Sequence, residues 1–147
     1  MGNSGKSPLA SDVFSLFTYG SLMLPEVMIK VCGCRFSAEK ATLSGYGRYL
    51  VKNEVFPAIV MEKDACTEGL LYRGIDRKSL DRLDTFEGTL YRRKQVAVTL
   101  TDGSTVDCHA YVISDCCRNL LSDRLWDAEL FRVGDLASFL GSLSADM

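Results

Sequence analysis

Apolar and β-branched residues run together over residues 13–19 and stop at Gly20-Ser21, which predicts a strand emptying into a tight loop. Pro25 then opens a short helix reaching about Val31. Proline at the first helical position loses no hydrogen bond, Glu26 lies near the positive end, and Gly33 is the stop. Three further strands are predicted over residues 41–51, 56–61 and 68–72, because the polar segments Lys52-Asn53-Glu54 and Glu62-Lys63-Asp64 break the apolar runs. Asp76 is placed to cap a helix from Arg77 to about Phe86, with Gly88 ending it. Residues 91–100 and 105–113 read as two strands joined across Thr101-Asp102-Gly103-Ser104, whose Asp-Gly pair is a hairpin signal. A polar loop over residues 114–124 leads to Trp126 and a last short helix around residues 136–143.

The order β-α-β-β-β-α-β-β-α mixes hairpins with crossovers. It predicts an α+β protein with a mixed or antiparallel sheet, one that can curl into a barrel, rather than a doubly wound parallel sheet. At 147 residues, 47% of them hydrophobic, the chain has enough material for one domain with a real core. That domain is expected over residues 13–147, after a flexible tail over residues 1–12 that is rich in Gly, Ser and Asn. Within the tail, Gly5-Lys6-Ser7 lacks the earlier glycine and the preceding strand of a phosphate loop. Lys6 stands where N-myristoylation would want Ser or Thr.

Charge and cysteine usage narrow the function classes. Seventeen Lys plus Arg against nineteen Asp plus Glu give a net charge of −2 with the signs interleaved, so no nucleic-acid partner is expected. No apolar run approaches the roughly 18 residues of a membrane helix, and no secretory h-region opens the chain, so no membrane association is expected. The six cysteines are therefore read as reduced thiols in a cytoplasmic protein. His109 is the single histidine, and Cys32-x-Cys34 and Cys116-Cys117 lack the spacer of zinc knuckles, so neither a metal nor another cofactor is expected. Alternation over residues 105–113 puts Cys108 with Val106, Ala110 and Val112 on one face. His109 falls with Thr105, Asp107 and Tyr111 on a more polar face, as a surface residue, which argues against a Cys-His109 nucleophile.

Two places carry candidate chemistry. In the helix starting at Arg77, Leu80 and Leu83 define the buried stripe, and Glu87 lies four residues after Leu83 on the same stripe, unlike Asp81 and Asp84. An inward carboxylate at a helix C-terminus has a raised pKa, which suits a general base. The alternatives are that the helix frays and leaves Glu87 solvated, or that Glu87 pairs with Arg92 or Arg93. The second place is Tyr19-Gly20-Ser21-Leu22, where a strand turns towards a helix and exposes backbone N–H groups able to hold a carboxylate or an oxyanion. A plain strand-to-helix turn is the alternative there.

The set Phe17-Thr18-Tyr19-Gly20-Ser21-Leu22-Met23, Pro25-Glu26-Val27, Gly45-Tyr46-Gly47-Arg48-Tyr49, Phe56-Pro57-Ala58-Ile59, Leu83-Asp84-Thr85-Phe86-Glu87-Gly88 and Tyr91-Arg92-Arg93 resembles the gamma-glutamylcyclotransferase-like superfamily. The likeness is to its plant-type avirulence-induced-protein branch and to gamma-glutamylamine cyclotransferase, over about residues 13–131. Trp126 resembles that branch's late tryptophan. The resemblance implies a mixed β-barrel with flanking helices and an activity converting a gamma-glutamyl amine, amino acid or peptide to 5-oxoproline plus the free amine. It puts substrate binding on Tyr19, Gly20, Ser21 and Leu22 and the proton acceptor on Glu87. Ser21 stands where some relatives have threonine. Tyr91, four residues past Glu87, is a further candidate for positioning the substrate.

Overall fold

The Asp102-Gly103 hairpin is formed in the computed structural model, which describes residues 13–146. Gly103 takes φ 89°, and the Asp102 carboxylate accepts from the Ser104 amide at 2.9 Å, closing the turn with Thr99 opposite Thr105. The tail expected over residues 1–12 lies outside the described residues. The strands are β1 (Val13–Thr18), β2 (Ser37–Val51), β3 (Pro57–Asp76), β4 (Tyr91–Leu100), β5 (Thr105–Ile113) and β6 (Leu121–Leu125). The helices are α1 (Pro25–Cys32), α2 (Arg77–Glu87), α3 (Ala128–Gly134) and α4 (Leu136–Asp146).

Strand β1 pairs antiparallel with β3 and parallel with β5, and the ladder continues through β4 to β2. Because β2 also pairs with β3, five strands close into a barrel, and β6 is added outside it along β2. The sheet is thus mixed and barrel-shaped, as expected.

Two expectations are corrected. The strands predicted over residues 56–61 and 68–72 are one strand, β3. The run Glu62-Lys63-Asp64 is not a turn but part of a bulge: Ser44 opposes Cys66 and Tyr46 opposes Met61, so the four residues 62–65 stand against Gly45 alone. Positive φ at Gly45 (86°) and Asp64 (69°) absorbs the mismatch, and the strand runs on. The loop predicted over residues 114–124 contains a 3₁₀ turn (Asp115–Leu120) and β6. This segment is held on β2 by the Ser122 hydroxyl, which donates to the Leu50 carbonyl at 2.7 Å, and by the Lys52 amide donating to the Leu120 carbonyl at 2.7 Å. A further helix, α3, precedes the predicted last one. Asp127 caps it by accepting the Leu130 amide at 2.9 Å.

Alternation along β1 serves two cores. Phe17 points into the barrel with Leu43, Ile59, Leu71, Val98 and Ala110, while Leu16 joins Val27, Met28, Ile75, Leu80 and Leu83 between barrel and helices. Gly69 lets β1 lie close to β3, since a Cβ there would meet the Thr18 carbonyl oxygen at 2.0 Å. The β5 faces alternate as predicted at Cys108, which is buried, but the face read as polar is buried at Tyr111 and half-buried at His109, whose ring lies 6.0 Å from that of Phe14. The helices cover that end of the face, which alternation alone does not reveal. All six cysteines are free. Among the described residues no helix is long and apolar enough to cross a membrane, and no group of three His, Cys, Asp or Glu is placed to hold a metal ion.

Candidate functional site

Tyr19 is the first residue after β1, and three bonds fix the loop that follows it. Its hydroxyl donates to the Tyr111 carbonyl on β5, Arg48 Nη1 donates to the Tyr19 carbonyl at 2.8 Å, and the Tyr72 hydroxyl donates to the Leu22 carbonyl at 2.8 Å. Gly20 has φ −128°, so positive φ is not why glycine stands there. A Cβ would lie 3.0 Å from Pro57 Cγ and Cδ, so the requirement is close approach to a proline ring. Tyr91 holds that proline, its hydroxyl donating to the Pro57 carbonyl at 2.6 Å. Residues Ser21–Met23 form a 3₁₀ turn whose closing bonds use the Met23 and Leu24 amides. The amides of Ser21 and Leu22 precede those bonds and have no partner within the turn.

Glu87 is the last residue of α2, one residue beyond the predicted end, so the final turn persists beneath it. Leu80 and Leu83 are fully buried, and Glu87 follows them inward. Its carboxyl is pushed up to about 8 from an ordinary 4.5, first by burial and second by the negative charge of Asp84. Glu87 pairs with neither arginine considered above. Arg93 donates through Nε and Nη2 to Asp84 at 2.9 and 3.2 Å, and Arg92 stands 3.9 Å from Asp115.

Tyr19, Gly20, Ser21, Leu22, Glu87 and Tyr91 all line one cavity of about 1110 Å³. Its apolar wall is Phe56, Phe86, Phe139 and Leu143, and Lys30, Lys78 and Arg82 stand on the side of α1 and α2. Such a space is in the size range of small-molecule binding sites.

Five contributors are not singled out by sequence spacing. Tyr111 lines the cavity and donates to Asp84 Oδ1 at 2.6 Å, although strand alternation grouped it with polar residues. Asp84 lies off the buried stripe by spacing, yet it is half-buried under Arg93 and Tyr111. Pro57 and Arg48 act through backbone contacts that no spacing encodes. Phe139 of α4 stacks edge-on against Phe86 and Phe131, with centroids 6.4 and 5.4 Å apart, and brings the C-terminal helix over the cavity. The apolar spacing of residues 136–143 was the available signal for that helix, but not for where it packs.

The family model described as gamma-glutamyl cyclotransferase, AIG2-like, matches residues 16–128. AIG2-like protein C of Arabidopsis thaliana is 38% identical over 91 residues, 62% of this chain and 53% of the relative, so the match spans about half of that relative's length. A solution structure of an Arabidopsis thaliana protein superposes with a TM-score of 0.70 at 26% identity, covering 90% of this chain and 81% of that one. A structure named gamma-glutamyl cyclotransferase superposes with a TM-score of 0.61 at 16% identity, covering 90% and 87%, and shares the fold. The matched segment runs from within β1 through β6 and includes the loop after β1 and Glu87, and on this evidence the chain belongs to the gamma-glutamyl cyclotransferase, AIG2-like family.

Proposed function

We propose that the protein is a cyclotransferase that converts a gamma-glutamyl amine, amino acid or peptide into 5-oxoproline and a free amine. The observation that carries this reading is a carboxyl with a raised pKa, Glu87, lining the same cavity as the Tyr19 to Leu22 loop. In the reaction the substrate's α-amine nitrogen attacks its own γ-carbonyl carbon and closes a five-membered ring, the bond to the leaving nitrogen breaks, and one proton passes from the α-amine to the departing amine. Both reacting groups belong to one molecule, so holding them in the attacking geometry supplies much of the acceleration. Glu87 takes the proton as base and returns it as acid. The Ser21 and Leu22 amides are the donors for the α-carboxylate or the carbonyl oxygen. Tyr91 acts at one remove, because its hydroxyl proton is committed to Pro57. No step requires a metal or a cofactor.

Glu87 works as a base only when ionised, so kcat/KM rises with pH through about 8. The test is release of 5-oxoproline from a panel of gamma-glutamyl amines, amino acids and peptides. Release from at least one class supports the reading and identifies the leaving group. Binding of panel members without release would instead make this a ligand-binding domain on the same fold.

A further inference from the structure

We propose that Asp84, clamped by Arg93 and Tyr111 behind the cavity wall, is a positioning residue that sets the proton affinity of Glu87. The proposal rests on the reading of Glu87 as the base. Asp84 stands one helical turn before Glu87 on α2, within the reach of neighbouring side chains on a helix. It does not line the cavity, so it acts on a substrate only through other groups. Its oxygens are taken: Oδ1 accepts from Tyr111 Oη at 2.6 Å and Arg93 Nε at 2.9 Å, and Oδ2 accepts from Arg93 Nη2 at 3.2 Å. The clamp ties the end of α2 to β4 and β5, and through the Tyr111 carbonyl to the Tyr19 hydroxyl, so the acid–base group and the loop share one hydrogen-bonded frame.

The clamp also has an electrostatic consequence. Asp84 stays ionised, held below the usual carboxylate range by Arg93 and Tyr111 against its own burial, and its fixed negative charge disfavours a second one at Glu87. Tyr19, Tyr91 and Tyr111 reach this region from the strands, all pushed up by burial and neutral, while His109 of β5, pushed down by burial and by Arg93, and Arg77 of α2 act on the clamp itself. Lys30 of α1 and Lys78, Asp81 and Arg82 of α2 line the cavity as well, and among the described side chains of α4 those that line it are Phe139, Ser142 and Leu143. All of these are unchanged in variants at Asp84 and Arg93, so a difference between those variants reports the clamp.

Two substitutions have opposite expected signs. Asp84→Asn removes the negative charge and leaves Arg93 without its partner, which favours ionised Glu87. Arg93→Gln removes the balancing cation and leaves Asp84 charged, which disfavours it. Titration of the Glu87 carboxyl by ¹³C NMR, in folded protein without substrate, should give a midpoint near 8 for the unaltered chain. It should fall by about one unit in Asp84→Asn, a tenfold weakening of proton binding, and rise in Arg93→Gln. The rising limb of kcat/KM against pH should move with it. An unmoved midpoint, or a fall in both variants as expected of general loosening, overturns the proposal. If one variant does not fold, the sign of the other decides. Opposite NMR shifts without any 5-oxoproline release would uphold the clamp and reject cyclisation, and release with an unmoved midpoint would do the reverse.

Discussion

Three tyrosines surround Glu87, and each has only one hydroxyl proton to give: Tyr19 gives its own to the Tyr111 carbonyl, Tyr91 to Pro57, and Tyr111 to Asp84. None is left to stabilise an ionised Glu87, so burial and Asp84 act unopposed and the carboxyl holds its proton to about pH 8. The folded chain therefore binds that proton more tightly than the unfolded chain, whose glutamate ionises near 4.5, and raising the pH between those values favours unfolding. Glu87→Gln abolishes this penalty. In thermal melts its advantage in Tm over the unaltered protein should be small near pH 4.5 and grow towards pH 8, whereas a constant difference would mean that Glu87 titrates normally. Gly20 makes a second prediction at this scale. Valine there presses on a Pro57 ring whose carbonyl is anchored by Tyr91, at a cost of about 1–3 kcal/mol for overpacking. Denaturant unfolding should show that loss, and KM for the gamma-glutamyl substrate should rise with it because the loop moves with the ring. An unchanged KM would show that the loop tolerates the displacement.

Among the elements, α2 was the most legible in the sequence, because Leu80, Leu83 and Glu87 follow helical spacing and Gly88 marks the end. What spacing does not supply is that Asp84, three residues before Glu87, is drawn in by partners on β4 and β5, Arg93 and Tyr111. Strand β3 was read as two because Glu62-Lys63-Asp64 has the composition of a turn; in the structure these residues are exposed on a bulge, where polar side chains cost nothing. Strand β6 was missed for a related reason. Leu-Ser-Asp-Arg-Leu shows no apolar alternation, and it lies outside the closed barrel with Leu125 75% exposed. The last helix is legible in the sequence, but its contacts are not: Phe139 meets Phe56 and Phe86 at 6.4 Å and Phe131 at 5.4 Å, and with Leu136, Leu140 and Leu143 it fastens α4 across the cavity. Phe139→Ala should loosen α4 while the barrel persists, because the barrel interior is a separate core. Hydrogen exchange would then quicken in residues 136–146 and stay slow in β4 and β5. Equal acceleration in both would show that the helix and the barrel unfold together.

For the molecule as a whole, barrel closure brings together groups far apart in the chain. Strand β1 delivers Tyr19 beside β5, α2 delivers Glu87, and the β2–β3 hairpin delivers Pro57 between Gly20 and Tyr91. The hairpin signal at Asp102-Gly103 and the mixed element order pointed to this architecture. Its closure rests on the β1–β5 and β2–β4 pairings, between strands far apart in the chain, which local pattern does not state. The central claim is that this closed frame presents one acid–base carboxyl to a gamma-glutamyl group. Its most direct test is the rate of 5-oxoproline release by Glu87→Gln beside the unaltered protein, with a substrate found in the panel and with folding and ligand affinity verified on the same samples. Glutamine keeps the size but cannot take the amine proton, so turnover should fall about a hundredfold to ten-thousandfold while affinity is retained. A Gln variant that folds, binds and releases 5-oxoproline at nearly the unaltered rate would contradict the account.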